Sequence, residues 1–349
     1  MPADILKPKI PKGARLWYPT EVNLDIEDVI LNYDRGLMGA YPDPVAREEL
    51  CGMLEEPDGE KVAYQYQFAD GTQEGLVMLW LPAQKTWGVW PKPPQTTGDC
   101  TSRAGSNIGI VTIGMDATQG QPDEETGLVE TFPELSETGI RNGVVCWENI
   151  YGDRGHRGQG ASCDALIKHV TRTGGIILRK NYEGVVDLEK KSELGVQWGG
   201  SGTPDKVRAL GREHQIRTAT NCRNWQNAKD FVFRGYALWI CSGLGFSSTR
   251  DEWGYSKQSG SWSHSWIIAG WDSRKETIAR YGFELALFIH DWGKWNRGPR
   301  LVHDTNESIP EGAMWIDARL LDRCDITAMA SIRGWAQRIL PKFSVPGIF

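Results

Sequence analysis

Two things are missing from this 349-residue chain: an uninterrupted apolar run and a surplus of positive charge. No window approaches the roughly 18 uncharged residues that a membrane-spanning helix needs, so no membrane span is expected. The first residues, MPADILKPKIPKGARLWYP, carry lysines and prolines but no apolar stretch of the kind a secretory leader uses. No signal peptide is expected, and the location implied is cytoplasmic during synthesis. With 39 Lys and Arg against 45 Asp and Glu, the formal net charge is -6, which gives no electrostatic reason to expect nucleic acid as a partner.

The chain also lacks compact ligand motifs. GGSGTPDK (199–206) has glycines and a lysine but not the order of a phosphate-binding loop, and it reads as a surface turn rather than a nucleotide site. The seven cysteines, at 51, 100, 146, 163, 222, 241 and 324, are scattered and odd in number, which predicts reduced thiols rather than a disulfide framework. Cys146, His156, Cys163 and His169 follow one another at spacings of 10, 7 and 6, unlike any compact zinc knuckle. No metal and no other cofactor is expected. Internal repeats and low-complexity tracts are absent too.

What is abundant is tryptophan, 16 residues of it. Such large rings are usually core or interface mass, with a stacking or docking surface as the minority use. Residues 1–20 read as an extended arm, because Pro2, Pro8, Pro11 and Pro19 prevent a regular helix. A small segment over 21–87 follows, with a helix in PVAREELCGMLEE (44–56) and a hairpin formed by KVAYQYQF and EGLVMLWL around ADGTQ. The main domain is expected over 88–340, with a tail over 341–349. Within it SNIGIVTIGMDA (106–117) suits a buried helix or a strand, while SCDALIKHVTRT (162–173) and NWQNAKDFVFRG (224–235) read as helices. YALWICSGLGF, SHSWIIAGW, YGFELALFIHDW and GAMWIDARLL read as strands. Helices first and strands afterwards predict an α+β plan with two lobes.

One stretch, QTTGDCTSRAG (95–105), could carry chemistry. A cysteine attacks carbonyl carbon as thiolate, which a helix N-terminus and a nearby imidazole favour. If a helix starts after the Gly-Asp turn, Cys100 meets the first condition. Gln95 could then turn an amide N–H toward the same point and, with the Cys100 N–H, form a two-donor oxyanion hole. His264 and His290 lie in strand-like segments near polar loops. His264 suits the base, and His290 or the adjacent Asp291 would orient it.

These pieces, in this order, resemble the papain-like cysteine peptidases. QTTGDC is similar to that family's glutamine-to-cysteine segment, and GQGASCDALIKHVTRTGGIILRKNY to its glycine turn, helix, Gly-Gly-Ile and downstream tyrosine. SHSWIIAGW resembles the histidine strand; HDWGKWNRGP and GAMWIDARLL resemble the Asn-Ser-Trp-Gly strand and its successor. GFSSTRD (245–251) ahead of SGSWSH resembles divergent papain-like proteins of tailed bacteriophages and some bacteria. The resemblance covers about residues 88–330. It implies a helical lobe plus a β-barrel-like lobe, preceded by an extra N-terminal segment. It further implies Gln95 as oxyanion donor, Cys100 as nucleophile, His264 as base, Trp292 as shielding ring and Gly160 as a backbone partner for an extended protein or peptide substrate. His290 stands where asparagine is usual. Two rival functions remain beside peptidase: a phage virion or assembly protein that keeps the fold as scaffold and docks other subunits through its N-terminal segment, and a cell-wall amidase using Cys-His-His.

Overall fold

The computed structural model describes residues 15–17, 65–67, 75–87, 90, 93–95, 97–119, 135–155, 159–189, 194–233, 235–292 and 300–332. The helix expected over 44–56 and the tail over 341–349 lie outside them, as do Cys51 and His156. In chain order the elements begin with β1 (Arg15–Trp17), β2 (Gln65–Gln67), β3 (Leu76–Met78), α1 (Leu81–Trp87) and α2 (Cys100–Gln119). Short helices α3 (Glu137–Arg141), α4 (Glu148–Gly152) and α5 (Cys163–Lys168) follow, the last continued by a π-helical turn over His169–Thr173. Next come β4 (Asn181–Tyr182), β5 (Val186–Asp187), α6 (Leu194–Ser201), α7 (Asp205–Arg212), β6 (Ile216–Asn221) and α8 (Trp225–Phe233). The C-terminal half adds β7 (Ala237–Phe246), β8 (Gln258–Asp272), α9 (Lys275–Tyr281), β9 (Leu285–Ile289), β10 (Met314–Asp317) and β11 (Asp325–Ile332).

The class is α+β, as expected. Seven strands form one antiparallel sheet in the order β10-β9-β8-β7-β11-β6, with β3 added against the end of β8. The path has two ends, so among the described residues the sheet is open, not the barrel-like lobe anticipated. Strand β6 and its partner β11 were not anticipated either.

Among the described residues the two runs of the expected hairpin are not paired with each other. Its first run supplies β2, which pairs with β1, while its second supplies β3, which pairs with β8. Local alternation identifies a strand but not its partner. Leu76 and Val77 are buried on the main sheet. α1 packs on α2, and Leu79, Trp80 and Ala83 belong to the same buried cluster as the main sheet.

Helix α2 lies across β7, β8 and β11, and its side chains from Thr101 to Met115 are all buried. A helix enclosed on every side shows no polar stripe, which is why helix and strand were indistinguishable in its sequence. Its glycines mark close approaches. A Cβ at Gly105 would stand 2.5 Å from the Trp239 ring, and one at Gly114 would stand 2.9 Å from Ala83 of α1. The tryptophans serve packing: Trp80, Trp147, Trp239, Trp266, Trp271 and Trp315 are fully buried.

The expectation of reduced thiols fails at one pair. Cys163, opening α5, and Cys241, in β7, form a disulfide with Cα atoms 6.7 Å apart, joining the helical part to the sheet. The two are 78 residues apart, and such a separation carries no trace of their meeting in space. Cys100, Cys146, Cys222 and Cys324 are free. GGSGTPDK spans the end of α6, a turn at Gly202 (φ 83°) and the start of α7.

Gly105→Ala and Gly114→Ala should each lower stability by about 1–3 kcal/mol through overpacking, outweighing the ~0.5–1 kcal/mol that alanine brings to a helix interior. Gly109 faces only methyl groups of Ile176 and Val145, at 3.2 and 3.4 Å from a built Cβ. Gly109→Ala should therefore change stability by less than about 1 kcal/mol. Urea unfolding of the three variants checks the ranking, and equal effects at all three would contradict it.

Candidate active site

The turn before α2 is built by Gly98 and Asp99. The Asp99 N–H donates to Thr97 O at 2.8 Å, and its carbonyl accepts the first helical bond from Arg103 N–H at 3.0 Å. Cys100 is thereby the first helical residue, partly buried, where helix N–H groups point outward. Its own N–H meets no acceptor among the described residues.

Strand β8 supplies His264 and β9 leads into His290. Their register pairs Ile267 with Ile289 and Ile268 with Phe288, and extending it sets His264 opposite Trp292. Side chains two apart in a strand share a face. Trp262, His264 and Trp266 therefore form one stripe, and Phe288, His290 and Trp292 form its neighbour. The Trp292 ring centroid is 4.3 Å from that of His264 and 5.0 Å from that of His290, and Trp262 stacks near-parallel to His290 at 6.4 Å. The two imidazoles sit in an aromatic enclosure, 6% and 2% exposed.

Within it the hydrogen bonds fix the tautomers. His290 Nε2 lies 3.0 Å from the carbonyl of Gly312, which can only accept, so Nε2 carries the proton. In the neutral ring His290 Nδ1 must then accept, and it lies 3.3 Å from His264 Nε2, which donates. The unprotonated nitrogen of His264 is consequently Nδ1. Both rings are held neutral: burial, reinforced by His290, lowers His264 well below its ordinary 6.5, and burial lowers His290 to about 3 against the favourable Gly312 contact.

Cys100 meets the sheet at the residue after His264. The Ser265 backbone N–H points at its sulfur, and the Ser265 hydroxyl is pinned by accepting from Trp239 Nε1 at 3.0 Å and donating to Ile240 O at 2.8 Å. No hydrogen bond joins Cys100 Sγ directly to His264 among the described residues. The helix N-terminus does not depress the thiol as anticipated, because burial raises it and the Asp99 carboxylate adds to the rise, while the Ser265 N–H and the Thr101 hydroxyl oppose them.

The remaining sequence candidates separate. Gln95 is held by its backbone N–H to Asp291 O at 2.6 Å, by Nε2 to Thr97 O at 2.6 Å and by Oε1, which accepts from Trp292 Nε1 at 3.2 Å. One amide N–H is thus engaged, and no hydrogen bond joins Gln95 to Cys100 among the described residues. The Asp291 carboxylate accepts from Asn107 Nδ2 at 2.9 Å and from Arg103 at 3.5 Å. Gly160 (φ 83°) donates its N–H to Gly98 O at 2.9 Å. Cys146 donates to Glu148, His169 faces Asp153 and Cys163 is in the disulfide, so the three described residues of the rejected zinc set have separate partners. Sequence reasoning missed Arg103, Asn107, Ser265 and Gly312. The Trp262 and Trp266 flanks could have been found from the period-2 pattern of WSHSW.

No protein-family model matches the chain, and no curated protein matches it. Among solved structures it is similar to xylellain, a cysteine protease from Xylella fastidiosa, at 12% identity and TM-score 0.44, covering 92% of this chain and 97% of that one. The proform of Amb a 11, a ragweed pollen cysteine protease, matches at 13% identity and TM-score 0.43, covering 75% of this chain and 68% of that one. Bromelain from Ananas comosus, solved with the E64 inhibitor, matches at 9% identity and TM-score 0.39, covering 73% and 98%.

A histidine neutral in the fold at about 3 but ordinary at 6.5 when unfolded binds its proton preferentially in the unfolded chain. Stability is then unaffected above pH 6.5 and is lost as pH falls from there toward 3. His290→Asn should remove up to about 1.4 kcal/mol per pH unit from that slope within the window. Urea midpoints of wild type and variant across these pH values measure it, and an unchanged slope would sink the assignment.

Proposed function

We propose that this chain is a papain-like thiol hydrolase, a peptidase that cleaves amide bonds through Cys100 and His264. The carrying observation is the ordered relay from the Gly312 carbonyl through His290 to His264, which leaves His264 Nδ1 basic, with Cys100 docked at the next residue of the same strand.

Because both partners are neutral, proton transfer accompanies attack. As Cys100 Sγ bonds to the substrate carbonyl carbon, His264 Nδ1 takes the thiol proton and the carbonyl electron pair moves onto oxygen. The Cys100 N–H and the second Gln95 amide N–H are the donors for that oxyanion, a type of contact whose loss costs roughly 10²–10³ in rate. The imidazolium keeps its Nε2–H on His290 Nδ1. When the tetrahedral adduct collapses, His264 returns the proton to the leaving amine. Water, deprotonated by the same nitrogen, then hydrolyses the thioester. Trp292 shields the relay and holds Gln95, while the Gly160 carbonyl accepts from an extended substrate.

The scaffold reading, with virion subunits docked by the N-terminal segment, draws support from the raised thiol, the absent Cys100–His264 bond and the engaged Gln95 amide. The amidase reading draws on His290 as third member.

Casein, peptides and peptidoglycan fragments should be offered to wild type and to Cys100→Ala and His264→Ala. Cleavage of casein or peptides is expected for wild type, with a fall of about 10²–10⁴ in kcat for His264→Ala and complete loss for Cys100→Ala. Cleavage confined to peptidoglycan fragments would replace peptidase with amidase. No cleavage, together with a Cys100 alkylation rate unaffected by His264→Ala, would leave the scaffold.

A further inference from the structure

Beneath the relay lies a buried ionic cluster that the proposed chemistry does not use. Arg103, one turn into α2, is 4% exposed. Its Nε donates to Asp99 Oδ1 at 3.1 Å, and its Nη1 donates to Pro93 O at 2.7 Å and to Asp291 Oδ2 at 3.5 Å. The guanidinium also lies 4.0 Å over the Trp147 ring, which covers it. Asp99 immediately precedes Cys100, and Asp291 immediately follows His290. One side chain therefore holds a neighbour of the thiol and a neighbour of the orienting imidazole, across 188 residues of sequence.

Asp291 makes the connection wider. Its backbone carbonyl accepts from Gln95 N–H at 2.6 Å, and its other carboxylate oxygen accepts from Asn107 Nδ2 of α2 at 2.9 Å. Displacing Asp291 would disturb both the oxyanion donor and the relay. A guanidinium suits this position because its rigid fork spans several acceptors at once, which a lysine ammonium cannot do.

We propose that Arg103 is a positioning residue: bridging Asp99 and Asp291, it sets the distance and orientation between Cys100 and the His264–His290 relay. It touches neither substrate nor reacting atoms. The inference rests on the Cys100–His264 reading and extends it to the group that assembles the two halves.

The test follows Cys100 alkylation by iodoacetamide against pH in the full-length protein, reading sites by peptide mass spectrometry and correcting for folded fraction by circular dichroism. The difference between wild type and His264→Ala defines the imidazole-dependent rate. Arg103→Lys keeps the charge but loses the fork; Asp291→Asn keeps the shape but loses the charged far anchor. Both should reduce the imidazole-dependent rate per folded molecule by about tenfold or more, the scale expected for a misplacement near 1 Å, and should move the pH profile toward that of His264→Ala. Wild-type rates and profiles in both folded variants would overturn the inference. Should Arg103→Lys fail to fold, Asp291→Asn decides alone. A wild type whose rate does not depend on His264 would instead refute the Cys100–His264 pair itself, a distinct result.

Discussion

The pairing register between β8 and β9 is the constraint from which the site follows. Ile267 opposite Ile289 and Ile268 opposite Phe288 bring the stripe Trp262, His264, Trp266 beside the stripe Phe288, His290, Trp292. A slip of one residue would turn one stripe to the other face, separating the imidazoles and displacing two large aromatic rings from their packing partners. Burial of those rings penalises the slip strongly. The same alternation frees Asp291 to reach α2 while His290 reaches His264. Packing energy and site geometry are therefore fixed by one choice of register.

The second determinant is dryness. A helix N-terminus and a nearby imidazole would ordinarily draw a thiol toward thiolate, yet here burial outweighs both and leaves thiol and imidazole neutral. A separated charge pair in such surroundings would lose more hydration than mutual attraction returns, unless further donors met it. The Ser265 N–H, the Cys100 N–H and Gln95 are the donors at hand. In the proposed reaction a substrate carbonyl would supply the remaining partner, because negative charge would develop on its oxygen rather than accumulate on sulfur, so that charge would be favoured in the transition state over charge at rest.

Those features that depend on near neighbours were legible in the sequence. The Gly98-Asp99 turn marked where a helix would begin if one followed, the alternation in SHSWIIAGW and ELALFIH announced β8 and β9, and Gln95, Cys100, His264 and His290 all fall in one region of the fold. Features that depend on distant partners were hidden. Local alternation gave no indication that Leu76–Met78 would join β8 instead of pairing with the preceding run. The disulfide joins residues 78 apart, and Arg103 meets Asp291 across 188. The ionisation of the site was hidden for a different reason: it is set by the surrounding dielectric, which only the assembled core defines. Taken alone, the glycines of α2 are a cost to a helix. Their use became visible only when Trp239 and Ala83 were found against them.

On the proposed reading His290 is the third catalytic group, where the family the sequence resembles has asparagine. An asparagine there would present a carbonyl oxygen at every pH, an acceptor that never changes character. His290 presents a lone pair only while neutral, and its tautomer is dictated from behind by the Gly312 carbonyl. Protonation would convert the acceptor into a donor and set a positive charge beside His264, opposing the imidazolium that acyl transfer requires. Burial, which lowers His290 to about 3, prevents this over the pH range in which an ordinary histidine would already be charged. The aromatic enclosure therefore does more than pack. By excluding water from both rings, Trp262, Phe288 and Trp292 keep His290 in the one ionisation state in which it can take the place of an amide.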